Sequence, residues 1–274
     1  MEGTLDVASL FGVEAVGPDR FVADSPAYGG SPDLALYGGL LLGQALLAAG
    51  ATVGAARSPH SVHAAFIRPG RFGAPIEYLV ERLRDGRAMD QRTVRGYQDG
   101  KLVVDARVVA HAPAPGGGDD WSAVAPPEVP GPDAFEPGPG HFAFAFSGGR
   151  FVGHALPAPG RPGLITPAWI RVVPGVRGAL APDPWLRAAA LGFWSDMGVT
   201  GRARHTLAAR NDLFALSIDH ALVFHRGEDL DGWFLFDARS RTVAGSQAAV
   251  DVYLFDAAGR LVASGMQSVL LRPE

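Results

Sequence analysis

A chain of 274 residues that is 47% hydrophobic and 19% charged can bury one large core or two ordinary ones. Its net charge of -4, with Lys101 the only lysine, gives no support to nucleic-acid or anionic-membrane partners. The absence of cysteine excludes thiol nucleophiles, disulfides and thiolate metal sites. The opening MEGTLDVASLFG lacks the basic-then-apolar pattern of a signal peptide, so the cytoplasm is the expected compartment.

A short strand is expected near 20–23, and then an apolar segment runs over 34–56. Its length would permit a membrane span. Five glycines, Gln44 and the stop at Arg57-Ser58-Pro59 argue instead for a central helix wrapped by a sheet. Gly39 and Gly43, four apart, would let another backbone come close. Strands are expected over 61–68, 76–84, 89–97 and 101–111, separated by Gly-containing turns that favour hairpins. Between 112 and 140, 14 of 29 residues are Pro or Gly, the composition of a linker, with Trp121 and Phe135 as anchors to the surface. The alternation at 141–146 places three phenylalanines on one face of a strand. Another strand is expected at 165–173. Asp183 and Pro184 form an N-cap and N1 pair that opens a helix over 185–194, ending near 196–198. A polar loop at 201–211 and strands at 217–226, 233–239, 244–255 and 260–271 complete the chain.

The chain repeats itself. Ser61-Val-His63 through Arg68 matches Ser217-Ile-Asp-His220 through Arg226, and the turn at Gly100 matches that at Gly259. The offsets are 158 at Arg68/Arg226 and 159 at Gly100/Gly259. Each copy runs helix then antiparallel meander, which is an α+β pattern. The expected organisation is a first unit over 1–111, a linker over 112–140 and a second unit over 141–274. The two units would pack as a pseudo-dimer with sheets joined edge to edge.

A long apolar helix cradled by an antiparallel sheet, present twice, resembles the double hotdog. The motifs are Tyr37-Gly-Gly-Leu-Leu-Leu-Gly-Gln44, His63-Ala-Ala-Phe66 through Gly70, Leu83 to Arg87, Ser195-Asp196, Ile218-Asp-His220, Phe224-His-Arg226 and Leu261 to Gln267. In this shared order they are similar to the acyl-CoA thioesterase II (TesB-like) family. The resemblance implies a catalytic trio of Asp196, Ser217 and Gln267 that holds a water for direct attack on the thioester, with no covalent intermediate and no cofactor or metal. The chain departs from the family pattern at Leu40, Gln247-Ala248, Gly227 and Ser268-Val269, the surroundings that tune substrate choice.

Of the trio only Asp196 can act as a base. A free Asp, with a pKa of about 3.9, is too acidic for that task near neutral pH, so burial is expected to raise it. Ser217 and Gln267 would orient the water. Backbone N–H groups at Gly38 and Gly39 are the expected donors to the thioester oxygen. His63 is a candidate substrate contact with a structural reading beside it. Arg68 and Arg226 are the candidates for CoA phosphates. His220 and His225, an odd number apart, face opposite sides of a strand and cannot share a metal. The expected partners are an acyl-CoA, fatty by the apolar run from Leu40 to Leu47, and further copies of the chain in a homo-oligomer. A non-catalytic acyl-CoA-binding scaffold and an enoyl-CoA hydratase of the same fold are the alternatives. No Gly-x-Ser-x-Gly elbow or phosphate loop is present.

Overall fold

The structure, a computed structural model, describes residues 11–25, 35–112, 120–134, 141–146, 149–155, 166–172, 183–207, 213–227 and 232–273. The first repeat contains β1 (Glu14–Gly17), β2 (Arg20–Ala23), α1 (Gly38–Gly50), β3 (Ser58–Phe66), β4 (Ile76–Asp85), β5 (Met89–Gln98) and β6 (Lys101–His111). Next come β7 (His141–Phe146), β8 (Gly149–Ala155), β9 (Ala168–Val172), α2 (Pro184–Ser195) and α3 (Val199–Thr206). The chain ends with β10 (Leu213–Phe224), β11 (Phe234–Ala244), β12 (Gln247–Asp256) and β13 (Leu261–Pro273). All strands join one antiparallel sheet in the order β1-β2-β4-β5-β6-β3-β10-β13-β12-β11-β9-β8-β7. The repeats therefore meet at β3 and β10, where Ala64 pairs with His220 and Val62 with Leu222. Joining there removes two exposed edges from the middle of the molecule. The fold is a double hotdog.

The register carries the repeat further than the motifs do. The irregularity in β4 between Arg82 and Arg84 returns in β11 between Ser240 and Thr242. That in β5 between Gly96 and Tyr97 returns in β12 between Leu254 and Phe255. That in β3 between Pro59 and Ser61 returns in β10 between Ser217 and Asp219. Each pair is 158 apart. The motif match that set Ser61 beside Ser217 is thereby corrected: the counterpart of Ser217 is Pro59.

Helix α1 is shorter than its apolar segment, and no helix among the described residues is long and apolar enough to cross a membrane. Leu40, Leu42, Ala45, Leu46 and Ala49 are fully buried between the sheet and α2. Gln44, buried with them, is satisfied by the Asp24 carbonyl at 2.7 Å and the Tyr78 hydroxyl at 3.0 Å. The two helices run antiparallel, and the glycines set how closely they approach. A Cβ on Gly39 would stand 2.6 Å from the Phe193 carbonyl oxygen, a backbone atom that cannot swing away. Gly39→Val is therefore expected to cost more than about 3 kcal/mol, beyond ordinary overpacking, in urea-melt stability. A loss under about 0.5 kcal/mol, the range of a neutral surface change, would refute this contact.

Asp183 caps α2 as expected, its Oδ1 accepting from Trp185 N at 2.8 Å with Pro184 at N1. The expected polar loop at 201–211 is instead α3 over its first part. Gly198, in the left-handed region at φ 68°, starts that helix, and Val199 and Ala203, four apart, bury one face. In the segment expected to be a linker, Val124 and Val129 pack with Trp169, Leu235 and Phe255, and Trp169 Nε1 donates to the Pro130 carbonyl. Trp121 is no anchor: it is 82% exposed. Phe135 lies outside the described residues, as do the side chains of the 141–146 strand.

Candidate active site

The C-terminal end of α2 meets the N-terminal end of α1 because the helices are antiparallel. Asp196, the C-cap of α2, is thus carried into the core and left 6% exposed. Its Oδ2 accepts from Gly39 N at 2.8 Å. Burial, the larger influence, pushes the carboxyl up from 3.8 to about 7, against the downward pull of the Gly39 N–H and the Gln267 amide. A Cβ on Gly38 would come within 2.9 Å of the same oxygen and 2.6 Å of Phe66 Cζ, so only glycine leaves the carboxylate this place. Tyr37 Oη ties the arrangement across the repeats by donating to the Phe193 carbonyl at 2.7 Å.

Ser217 reaches the site through the irregularity in β10. In a regular strand Ser217 and His220, three apart, would face opposite sides. The extra residue, Ile218, turns both to the inner face, where Ser217 pairs with Val269 and His220 with Gln267. Asp219 stabilises this bulge, its Oδ1 accepting from Ser268 N at 2.9 Å.

Gln267 is fully buried and sits between all the other groups. Its Nε2 donates to Ser217 Oγ at 2.5 Å, and the same amide hydrogen-bonds the Asp196 carboxyl. Its Oε1 lies 2.6 Å from His220 Nδ1. His220 Nε2 in turn lies 2.8 Å from Ser195 Oγ. Burial drives the imidazole down to about 4, so it is neutral at pH 7 and carries one N–H. A carboxylate can only accept, so Gln267 must present NH2 to Asp196 and its carbonyl oxygen to His220. Nδ1 then holds the proton, and the single Ser195 hydroxyl hydrogen is shared between the Gly192 carbonyl and the unprotonated Nε2, each 2.8 Å from Oγ. The tautomer follows from this network.

Comparison with known proteins places the chain as a whole. A family model described as the acyl-CoA thioesterase C-terminal domain matches residues 122–271, and the corresponding N-terminal domain model matches residues 26–111. The chain belongs to the acyl-CoA thioesterase II (TesB-like) family. Acyl-CoA thioesterase 2 of Haemophilus influenzae is 27% identical over 263 residues, covering 86% of this chain and 87% of its own. Human acyl-coenzyme A thioesterase 8 is 26% identical over 268 residues, covering 88% and 82%. Among solved structures, the tesB protein of Mycobacterium avium subs paratuberculosis superposes with a TM-score of 0.75 at 28% identity, over 99% of this chain and 100% of its own. TesB2 of Mycobacterium marinum, an acyl-CoA thioesterase II, gives 0.71 at 27% identity over 98% and 97%. The chain is accordingly an acyl-CoA thioesterase, a thioester hydrolase.

Within the thioesterase, Asp196, Ser217 and Gln267 converge, while the other sequence candidates divide. Gly39 does not keep its N–H for a ligand, because Asp196 is the nearest anion to the helix end and takes it. Arg68 lies two residues beyond Phe66, exposed, with Nη1 donating to the Leu102 carbonyl at 3.1 Å. His63 is on the opposite face of β3 from the inward Val62 and Ala64, exposed and opposite Ala221. Arg226 stands six residues beyond His220, ~20 Å along the strand direction, and so misses the cluster. It pairs with Asp120 and donates to the Leu261 carbonyl. His220, Ser195 and Phe66 join the site without having been assigned to it. Alternation with the inward Leu222 was the available signal for His220.

Proposed function

We propose that the enzyme hydrolyses fatty acyl-CoA by direct attack of a water held between Asp196, Ser217 and Gln267. The observation that carries this reading is a buried carboxyl raised to about 7, next to an amide whose orientation is fixed. A carboxylate of that basicity can remove a proton at neutral pH, which an exposed Asp cannot do efficiently. The water donates one hydrogen to Asp196 and accepts from the Ser217 hydroxyl. Its oxygen attacks the thioester carbonyl carbon as its proton passes to Asp196. Gly38 N–H, at the start of α1, faces the oxyanion. The C–S bond then breaks, and the proton leaves Asp196 for the CoA sulfur, giving free acid and CoA.

The test is release of CoA, by thiol titration, from short, medium and long acyl-CoAs; the chain's lack of cysteine keeps the background low. Turnover is expected, with kcat/KM rising as Asp196 ionises and levelling above its pKa of about 7. Binding of every acyl-CoA without CoA release would leave a scaffold, and hydration of crotonyl-CoA would indicate a hydratase. The same reading takes 112–140 as a linker between repeats, the cytoplasm as the compartment and a homo-oligomer as the assembly. The outer face of β10, with Phe214, Leu216 and Ile218 exposed, is the surface a second copy would cover. Light scattering on the purified chain decides the assembly.

A further inference from the structure

We propose that the chain carries a second, non-hydrolytic acyl-CoA site, placed by the internal repeat where the Asp196 cluster would recur. It rests on the reading of this enzyme as one that takes acyl-CoA. The site is a cavity of about 250 Å³ between the start of α2, the start of β3 and the end of β10; Pro59, Ala188, Leu191 and Phe224 form its apolar wall, and Ser58, His111, Arg187, His225 and Arg226 are among its polar lining.

These residues are counterparts of the candidate active site. Pro184 begins α2 as Gly38 begins α1. At the offset of 158 established by the sheet register, Phe224 corresponds to Phe66, Arg226 to Arg68 and Pro59 to Ser217. The hydrolytic groups have not recurred. The inward pair His220–Gln267 becomes Val62–Val108, and the C-cap Asp196 becomes the C-cap Ala51. The helix start differs too: Asp183 occupies Trp185 N, and Pro184, at the position of Gly38, has no N–H. Beyond the C-cap, buried Arg92 donates to Thr52 Oγ1 at 2.8 Å and to the Thr52 carbonyl at 3.0 Å, a cation where the other repeat has its base. The binding shape survives without the base, the amide or the serine.

The lining suits an alkyl chain, and the mouth suits the charged, nucleotide-bearing remainder of an acyl-CoA. A second cavity of about 530 Å³ shares His225 and Arg226 with the first and is bordered by Trp121. That indole, 82% exposed, offers a face on which an adenine can stack. Arg226 is held by Asp120 and by the Leu261 carbonyl, so a phosphate would displace Asp120 from an arginine already in place. A free fatty acid shares the chain and the anionic head but has nothing for the indole.

Calorimetric titration with S-octyl-CoA, a thioether that cannot be hydrolysed, tests the site on the wild type, on Ser58→Trp, which fills the cavity, and on Arg226→Glu. The wild type is expected to bind two equivalents and Ser58→Trp one, with CoA release from octanoyl-CoA unchanged. Arg226→Glu is expected to weaken one equivalent at least tenfold, and it reads the site independently if Ser58→Trp fails to fold. A single equivalent untouched by either variant, beside normal CoA release, overturns the second site and leaves the hydrolase reading intact. One equivalent lost in Ser58→Trp with no hydrolysis in any protein overturns the hydrolase reading while the second site stands. Octanoate binding as tightly as S-octyl-CoA, or CoA alone binding as tightly, overturns the assignment to acyl-CoA.

Discussion

Asp196→Asn is expected to lower kcat about a thousandfold, the scale of a general base, while making the protein more stable above pH 7. The first effect follows from removing the only titratable member of the proposed trio. The second follows from the cost of ionising a carboxyl that is 6% exposed. Its folded pKa of about 7 lies above the unfolded 3.8, so the folded state holds a proton that the unfolded state has released between those values. Stability attributable to Asp196 is complete below pH 3.8 and is lost as pH rises through about 7. The full cost is on the order of 4 kcal/mol, at 1.36 kcal/mol per pKa unit. Asn keeps an oxygen to accept from Gly39 N–H but never ionises, so the variant should melt higher at pH 8 and the same at pH 3.5. His220, depressed from 6.5 to about 4, has the opposite dependence, with its stability present above 6.5 and lost as pH falls. It is common to both proteins and cancels in their difference. Equal melting differences at pH 3.5 and pH 8 would show that Asp196 ionises freely and would remove the basis of the mechanism.

His220→Leu is expected to reduce kcat about 10–100-fold with KM largely retained, as befits a residue that fixes the attacking geometry rather than binding substrate. The imidazole touches neither Asp196 nor Ser217 in the network; it holds Gln267 Oε1 at 2.6 Å and Ser195 Oγ at 2.8 Å. Leucine leaves Gln267 Oε1 buried without that partner, a cost of about 1–3 kcal/mol in stability, while Ser195 Oγ keeps the Gly192 carbonyl. It also frees the amide to rotate by half a turn and present oxygen to the carboxylate. Gln267 now lowers the Asp196 pKa by hydrogen bonding, so losing that bond should move the inflection of kcat/KM to higher pH. A residue that only filled space would not shift the profile. His220→Asn, with an N–H near the Nδ1 position, is expected to recover part of both kcat and the inflection. An unmoved profile in His220→Leu would refute the positioning role.

Much of this molecule is local and therefore legible in the order of its residues. Strand alternation, the Asp183-Pro184 cap and the apolar α1 follow from backbone geometry and side-chain burial within a few residues. The internal repeat was visible as offsets of 158 and 159, and the candidate trio as family motifs in their shared order. Composition and periodicity alone would have left Ser217 and Gln267 as ordinary strand residues. What a short-range pattern cannot hold is which inward face a residue joins after a bulge, and which distant group it meets there. Ile218 decides that Ser217 faces His220, and Gly39 meets Asp196 across 157 positions of chain. The same packing that removes water from Asp196 raises its pKa, and strand direction separates Arg226 from Arg68. Burial and register are properties of the assembled sheet and helix pair, so the basicity of Asp196, the orientation of Gln267 and the two ends of the repeat belong to the tertiary structure.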